Sequence, residues 1–284
     1  MSLKLAQSCN LCGRQCKSSI CNPKSEIKVS SYTVHHGEEP MISGTRGSGA
    51  IFFTNCNMRC VYCQNYEISQ NGHGNIKSKE ELADIMLILQ KKQCHNINLV
   101  SPTHFMPQIL ESIKIAIADG LKIPVVYNTN GYDSLELLKE LDGMINIYMP
   151  DFKYSDNEMA KKYSGADNYV ETAKAGIAEM LRQVGPRNLL VRHLVLPNRI
   201  SGTFEVLDFL ASIATDIRVS LMAQYSPQHK ASQHKELNRK ISALEYNETV
   251  EYLQNKGFEN AYIQELISTD FYLPDFMSDE PFKM

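Results

Sequence analysis

The chain reads as an α/β protein, a partial (β/α)6 TIM-like barrel with a cysteine-rich N-terminal extension, and three observations predict this. Six short apolar runs are each followed by a stretch of helical periodicity, the alternation that specifies a parallel sheet with helical crossovers. Polar or Pro/Gly-containing segments follow the runs at Cys56, Ser101, Asn128, Asp151, Arg192 and Gln224, at the sheet end where barrels build their sites. Six units are too few for the eight-stranded closed barrel, so the sheet is expected to stay open.

The first strand, expected at 50–53, is Ala-Ile-Phe-Phe, and its helix at 79–92 carries Leu82, Ile85, Met86, Ile88 and Leu89 on one stripe. The strand at 97–100 leads through Ser101-Pro102-Thr103-His104 to a helix at 106–119 stopped by Gly120. Strands at 124–127 and 144–149 precede helices at 134–141 and 169–183. The last two units set 188–196 before 202–214 and 218–222 before 242–256, with 261–263 as a final strand. Upstream, Val29, Tyr32 and Val34 alternate as strand positions, while the adjacent His35 and His36 point to opposite faces of an extended chain and do not share one metal. Arg46 lies between glycines that allow close backbone approach, and is expected against the cluster or the substrate. The domain plan is an extension at 1–48, the barrel at 49–269 and an irregular tail at 270–284.

Composition sets bounds on partners. A net charge of −3 without a long basic run gives no electrostatic footprint for nucleic acid or a membrane surface. No apolar run is long enough to cross a bilayer, and the opening Met-Ser-Leu-Lys-Leu has no signal-peptide character. Eight cysteines grouped at metal-ligand rather than disulfide spacing fit a reducing compartment, so a cytoplasmic location is expected.

The chemistry centres on Cys56, Cys60 and Cys63, a C-x3-C-x2-C triplet directly after the first strand. Three cysteines in eight residues stand far above a background of eight in 284. Three thiolates on one loop leave one iron of a four-iron cube with an open position, where a cofactor can bind. A structural zinc site closes tetrahedrally and draws on paired C-x2-C knuckles, which this triplet does not supply. Cys9, Cys12, Cys16 and Cys21 form a second cluster in the extension. It could close a zinc tetrahedron, hold a second iron-sulfur cluster or remain as reduced thiols. Cys94, near a helix end, reads as buried packing.

Each remaining strand end also has a plain structural explanation. Thr129-Asn130-Gly131 could be only a turn, Asp151 and Lys153 a local surface ion pair, and Arg192 and His193 one core-facing and one solvent-facing residue. Their joint placement beside the cysteine loop favours a site.

The triplet, with the aromatic Tyr62 before its third cysteine, resembles the radical S-adenosylmethionine (SAM) superfamily. The phrase 42–49, Ile-Ser-Gly-Thr-Arg-Gly-Ser-Gly, and the run 64–69, Gln-Asn-Tyr-Glu-Ile-Ser, resemble the pyruvate formate-lyase activating enzyme-related group of iron-sulfur proteins. The resemblance implies a 4Fe-4S cluster on the triplet and SAM beside it. It also implies reductive cleavage to a 5'-deoxyadenosyl radical and hydrogen abstraction from a substrate. Thr129, Asn130 and Gly131, and Asp151 with Lys153, match the stretches that hold SAM and a nearby cation in glycyl-radical activating relatives, Asn128 beside them is a further candidate for the cofactor, and Gln224 stands near the adenosine. Tyr62 is expected along the adenine. Arg192 and Lys153 are the candidate catalytic residues, neutralising the carboxylate of SAM. Where many members carry Gly-Gly-Glu for the amino group, this chain has Ser101-Pro102-Thr103-His104, so Thr103 or His104 is the expected substitute. The implied partners are an electron donor such as flavodoxin or ferredoxin and a glycyl-radical enzyme or other protein substrate. Modification of a small molecule or peptide, or a non-catalytic iron-sulfur or zinc protein, are the competing readings.

Overall fold

The computed structural model describes residues 9–15, 26–266, 274–276 and 282. Cys16 and Cys21 lie outside the described residues, as does most of the stretch beyond 266. The chain runs β1 (Ile27–His35), α1 (Pro40–Ser43), β2 (Ser48–Phe53), α2 (Tyr66–Ser69), β3 (Asn75–Lys77) and α3 (Lys79–Lys91). It continues through β4 (Ile97–Val100), α4 (Met106–Ala118), β5 (Val125–Thr129), α5 (Leu135–Glu140) and β6 (Ile147–Pro150). Then come α6 (Asn157–Ser164), α7 (Tyr169–Val184), β7 (Leu190–Leu194), α8 (Thr203–Ile213), β8 (Arg218–Met222), α9 (Ala243–Asn255) and β9 (Asn260–Ile263).

The strands form ladders in the order β3-β1-β2-β4-β5-β6 and β7-β8-β9. From β2 through β6 the neighbours are parallel, as they are from β7 to β9. Bridges pairing Tyr148 with Leu189 and Asp151 with Arg192 carry the arc from β6 to β7. The six β-then-α units expected from the sequence are therefore present, with β9 as a closing strand. Among the described residues no ladder joins β9 back to β1 or β3, so the barrel is open.

Local sequence explains the elements. All six residues of β2 are buried, the continuous apolar run of a strand covered on both faces. Capping boxes start α3 at Ser78 and Glu81 and α9 at Ser242 and Glu245, while Gly165 in the left-handed conformation stops α6. β6 begins three residues later than expected, at Ile147. Met144 closes the turn after α5 by donating to Leu141 O at 2.9 Å, and Asn146 N donates to Val125 O at 3.0 Å.

The alternation along each strand divides the core. Tyr127, Tyr148 and Val191 face the helices with Leu82, Leu89 and Ile109, whereas Val126, Met149 and Leu190 face the inside of the arc. The inner group packs around Ile42 of α1. Residues 27–48 are thus woven into the barrel: β1 pairs antiparallel with β2, and the connection between them inserts α1 into the lumen. Arg46 is not at the cysteine end. It precedes β2 at the opposite end, where Nε donates to Gln93 O at 2.9 Å and the guanidinium meets His95. Cys94 is buried, as expected. No helix among the described residues is long and apolar enough to cross a membrane.

His193 lies fully in the core. Its Nδ1 donates to Phe152 O at 2.6 Å and its Nε2 accepts from Thr203 at 2.9 Å. Burial lowers its pKa, and that of buried His104, to about 4.

Two outcomes test this packing. Ile42→Ala is expected to cost about 2–5 kcal/mol in urea unfolding, the range for a buried large-to-small change, although residue 42 precedes the first barrel strand. An ordinary histidine titrates near 6.5 in the unfolded chain. Between that value and about 4, unfolding therefore takes up protons at His104 and His193, and stability falls as pH drops. The loss approaches about 1.4 kcal/mol per pH unit for each group. His193→Gln should flatten that slope in urea titrations at stepped pH.

Candidate active site

The strand ends surround a cavity of about 380 Å³. Cys56, Cys60 and Cys63 line one part of it, Asn128, Thr129, Asn130, Asp151, Lys153 and Arg192 the floor, and Tyr62, Gln224 and Tyr225 the flank.

The cysteine loop is held from its back. Asn55 N donates to Ile68 O at 2.9 Å, Arg59 N to Ser164 O at 2.9 Å and Val61 N to Tyr163 O at 2.8 Å. Each thiol also has a polar neighbour. Cys56 Sγ accepts from Met58 N at 3.4 Å and from Asn130 Nδ2 at 3.3 Å. Ser164 Oγ donates to Cys60 Sγ at 3.0 Å, and Ser69 Oγ lies 3.3 Å from Cys63 Sγ. Tyr62 belongs to the same relay: its hydroxyl is 2.7 Å from that of Tyr154, which is 2.7 Å from Ser164. Burial raises all three thiol pKa values, that of Cys60 to about 12. As bare thiols they stay protonated, and metal must displace the protons.

These residues fit a cluster better than a single ion. Among the described residues no three His, Cys, Asp or Glu side chains converge tightly enough to hold one metal ion. A cube instead takes each thiolate on a different iron, and hydrogen bonds to the sulfurs tune it. No fourth cysteine lines the cavity among the described residues.

The loop after β5 brings the next functional groups. Gly131 is required there: φ is +78°, and an added Cβ would sit 2.3 Å from Asp151 O. That close approach lets Tyr169, a residue without a motif, bridge the two loops. Its hydroxyl lies 2.9 Å from Asn130 O and 3.1 Å from Asp151 O, and accepts from Lys153 N at 2.8 Å. Asn130 also donates to Asn57 Oδ1 at 2.6 Å. The N-terminal segment braces this corner. Gly13 N donates to Tyr132 O at 3.2 Å, Ser134 N to Leu11 O at 3.1 Å and Arg14 Nε to Asn57 O at 2.5 Å. Cys9 and Cys12 are buried in it.

Thr103 and His104 are placed elsewhere than expected. Neither lines the cavity, so neither replaces the Gly-Gly-Glu contact as placed. Thr103 Oγ1 donates to buried Asp133 at 2.8 Å, which also accepts from Tyr127 at 2.7 Å and Thr129 at 2.6 Å. His104 Nε2 donates to Thr54 O at 2.7 Å, under the cysteine loop. Their short 3-10 turn directs both side chains into the core. Ser101, in the left-handed conformation at φ 56°, takes the cavity position instead.

The floor is an ion network of half-buried groups. Arg192 Nε donates to Asp151 at 3.0 Å, Nη1 to Glu38 at 3.1 Å and Nη2 to Asn128 at 2.7 Å. Lys153 Nζ is 2.6 Å from the other Asp151 oxygen. Asp151 and Lys153 are therefore not a loose surface pair. Burial opposes the charge on Asp151, but Lys153 and Arg192 outweigh it and hold its pKa below the ordinary value. Burial likewise opposes the Lys153 ammonium, and Asp151 with Cys60 raises its pKa in return. Glu38 was missed as a site residue, although the run His-His-Gly-Glu-Glu-Pro is conspicuous. Its position before β2 placed it at the far end of the sheet, and only the folding of α1 into the lumen brings it here.

The family model of the radical SAM superfamily matches residues 50–199, the span from β2 past β7. The chain belongs to that superfamily. An uncharacterized protein of Methanocaldococcus jannaschii is 30% identical over 274 residues, covering 90% of this chain and 77% of that protein. Among solved structures, Streptococcus suis SuiB matches with a TM-score of 0.55 at 14% identity, over 76% of this chain and 49% of that one. The chain spans about half the length of SuiB, and the likeness is one of fold. A radical SAM domain implies an enzyme with a 4Fe-4S cluster and SAM-based radical chemistry.

The floor predicts a thermodynamic coupling. Arg192→Met leaves Glu38 without its cation and Asp151 with Lys153 alone, and should cost about 3–5 kcal/mol in unfolding of the metal-free chain. Combined with Glu38→Gln the cost should be less than the sum of the two single changes, by about 0.5–3 kcal/mol.

Proposed function

We propose that the chain holds a 4Fe-4S cluster on Cys56, Cys60 and Cys63, binds SAM over the ends of β5, β6 and β7, and abstracts hydrogen from a small organic molecule. The observation that carries this is the set of three cavity-facing thiols, each with a polar neighbour, beside the Asn128–Lys153–Arg192 floor. When bound, cluster and SAM together supply reductive cleavage of the sulfonium and the radical that follows. The chain's own residues orient and enclose. Asn130, Ser164 and Ser69 offer hydrogen bonds to the sulfurs, and Tyr62, which lines the cavity, would lie along the adenine. Arg192 gives three of its N–H groups to Asp151, Glu38 and Asn128, and Lys153 gives one of its three to Asp151, so both cations keep donors for the carboxylate of SAM.

Glycyl-radical activation is the second reading, favoured by the resemblance of the 42–49 and 64–69 phrases to the activating-enzyme group. Against it, Phe276 and Phe282 pack on Phe52 beside the cavity, where the loop of a protein substrate would have to displace them. The electron donor in either case is of the flavodoxin or ferredoxin class. For the cysteines of the extension, a zinc ion or second iron-sulfur cluster is proposed to span Cys9, Cys12, Cys16 and Cys21.

The test is anaerobic reconstitution of the wild type beside a Cys56→Ala, Cys60→Ala, Cys63→Ala triple variant, with iron, sulfide and zinc measured in both. The triple variant should lose about four irons and all dithionite-dependent 5'-deoxyadenosine formation. Zinc or iron that remains is assigned to the extension. Unchanged iron would remove the triplet as the cluster site. Wild type that binds iron yet forms no 5'-deoxyadenosine would favour a non-catalytic protein. A glycyl-radical signal raised on a partner protein would favour the second reading.

A further inference from the structure

Part of the cavity lining, beside the floor, has a different chemistry. It is lined by His35 at the end of β1, Phe52 of β2, Val100 of β4 and Phe282 from the C-terminal stretch. The rings touch: His35 and Phe282 centroids are 4.3 Å apart, Phe52 and Phe282 5.2 Å, and Phe52 and Phe276 5.3 Å. Phe276 is buried, and with Ala50 and Ile68 it backs this wall, against which Val100 and Phe282 pack. The separations are those of favourable edge and offset aromatic contacts, so the wall is organised before any ligand arrives.

Among the described residues, none of the four that form this wall carries a charge at pH 7. His35 is neutral at pH 7, because burial and then the neighbouring His36 lower its pKa to about 4. Glu38, three residues after His35, already accepts from Arg192, from Asn98 at 3.0 Å and from Asn128 at 3.4 Å. A charged group brought to this wall would lose water and find no counter-ion among the four residues that form it. An apolar group would gain roughly 25 cal/mol per Å² of surface removed from water.

We propose that the wall of His35, Phe52, Val100 and Phe282 is a substrate subsite that takes an uncharged aromatic or branched aliphatic group of a small molecule. The subsite rests on the reading of the cysteine end as the place where the radical forms, since the two share one cavity. Two of its four residues, His35 and Phe282, lie outside the span matched by the superfamily model, which makes them selectivity residues of this chain.

The chain contains no tryptophan, so Phe282→Trp installs a single fluorescent reporter in the wall. Reconstituted full-length protein is titrated with benzyl alcohol, benzylammonium and benzoate, three probes with one ring and different charge. Binding to the wild type is followed in parallel by ligand-observed NMR, which does not depend on the variant folding. Benzyl alcohol should bind saturably and at least about tenfold tighter than either ion. Val100→Phe, which fills the subsite, should weaken it by a similar factor. Equal binding of the ions, absence of saturable binding, or binding indifferent to Val100→Phe would overturn the subsite. SAM cleavage by the wild type, measured in the same preparation, separates the two failures. Cleavage without benzyl alcohol binding removes the subsite alone, whereas loss of the cluster reading leaves the probe result to stand or fall on its own.

Discussion

A guanidinium inside an arc of parallel strands imposes the constraint on which the site depends. Arg192 is removed from most of its water, and its fixed fork of donors must be met by acceptors in matching directions. Asp151 from the neighbouring strand end, Asn128 from β5 and Glu38 from the β1–β2 connection meet it. Each partner comes from a different element, so one cation fixes the relative height of three strand ends and of the inserted segment. With Lys153 on the far oxygen of Asp151, two cations face two carboxylates and the floor is electrically balanced. Glu39, beside this balanced set, is pushed by burial toward its protonated form, with the Arg192 charge opposing. A third full negative charge is thereby disfavoured.

The cysteine loop obeys the same rule with softer groups. Its sulfurs are drawn into a low-dielectric pocket that alone would keep them protonated. Against that burial the pocket sets the Lys153 charge and a ring of neutral hydrogen-bonding groups, Asn130, Ser164 and Ser69. Asn130 is held through Tyr169, and Ser164 through Tyr154. The aromatic hydroxyls thus serve as struts rather than as reactive groups.

The barrel was legible in the sequence because its signals are local. Apolar runs, caps and the glycine stops recur at the period of each element, and the six units appear where the pattern put them. The triplet was legible for the same reason, as spacing on one loop. Thr103 and His104 were not, because a 3-10 turn after β4 rotates both into the core, and nothing in four residues of sequence reveals which way such a turn faces. Glu38 and Tyr169 were missed because their partners lie 16 to 154 positions away, on loops that meet only after folding, and Asp133 because its local partners Tyr127 and Thr129 carry no motif. Hydrogen bonding runs across the boundary drawn at residue 48, since β1 pairs with β2 there.

That pairing separates two kinds of part. The span from β2 to β7 carries the cysteines and the polar strand ends, which any enzyme generating a radical from SAM at such a barrel must supply. The pieces on either side, β1 with α1 before it and the residues at 276 and 282 after it, close the lumen from below and along the inner face of β2. An open arc exposes its inner face, and apolar strand faces do not remain in water at no cost. Covering that face with the chain's own termini removes the exposure and simultaneously shapes the space left for a substrate. On the proposed subsite, the residues that cover the inner face of β2 and those that select the substrate are the same few, so a change in one is expected to affect both.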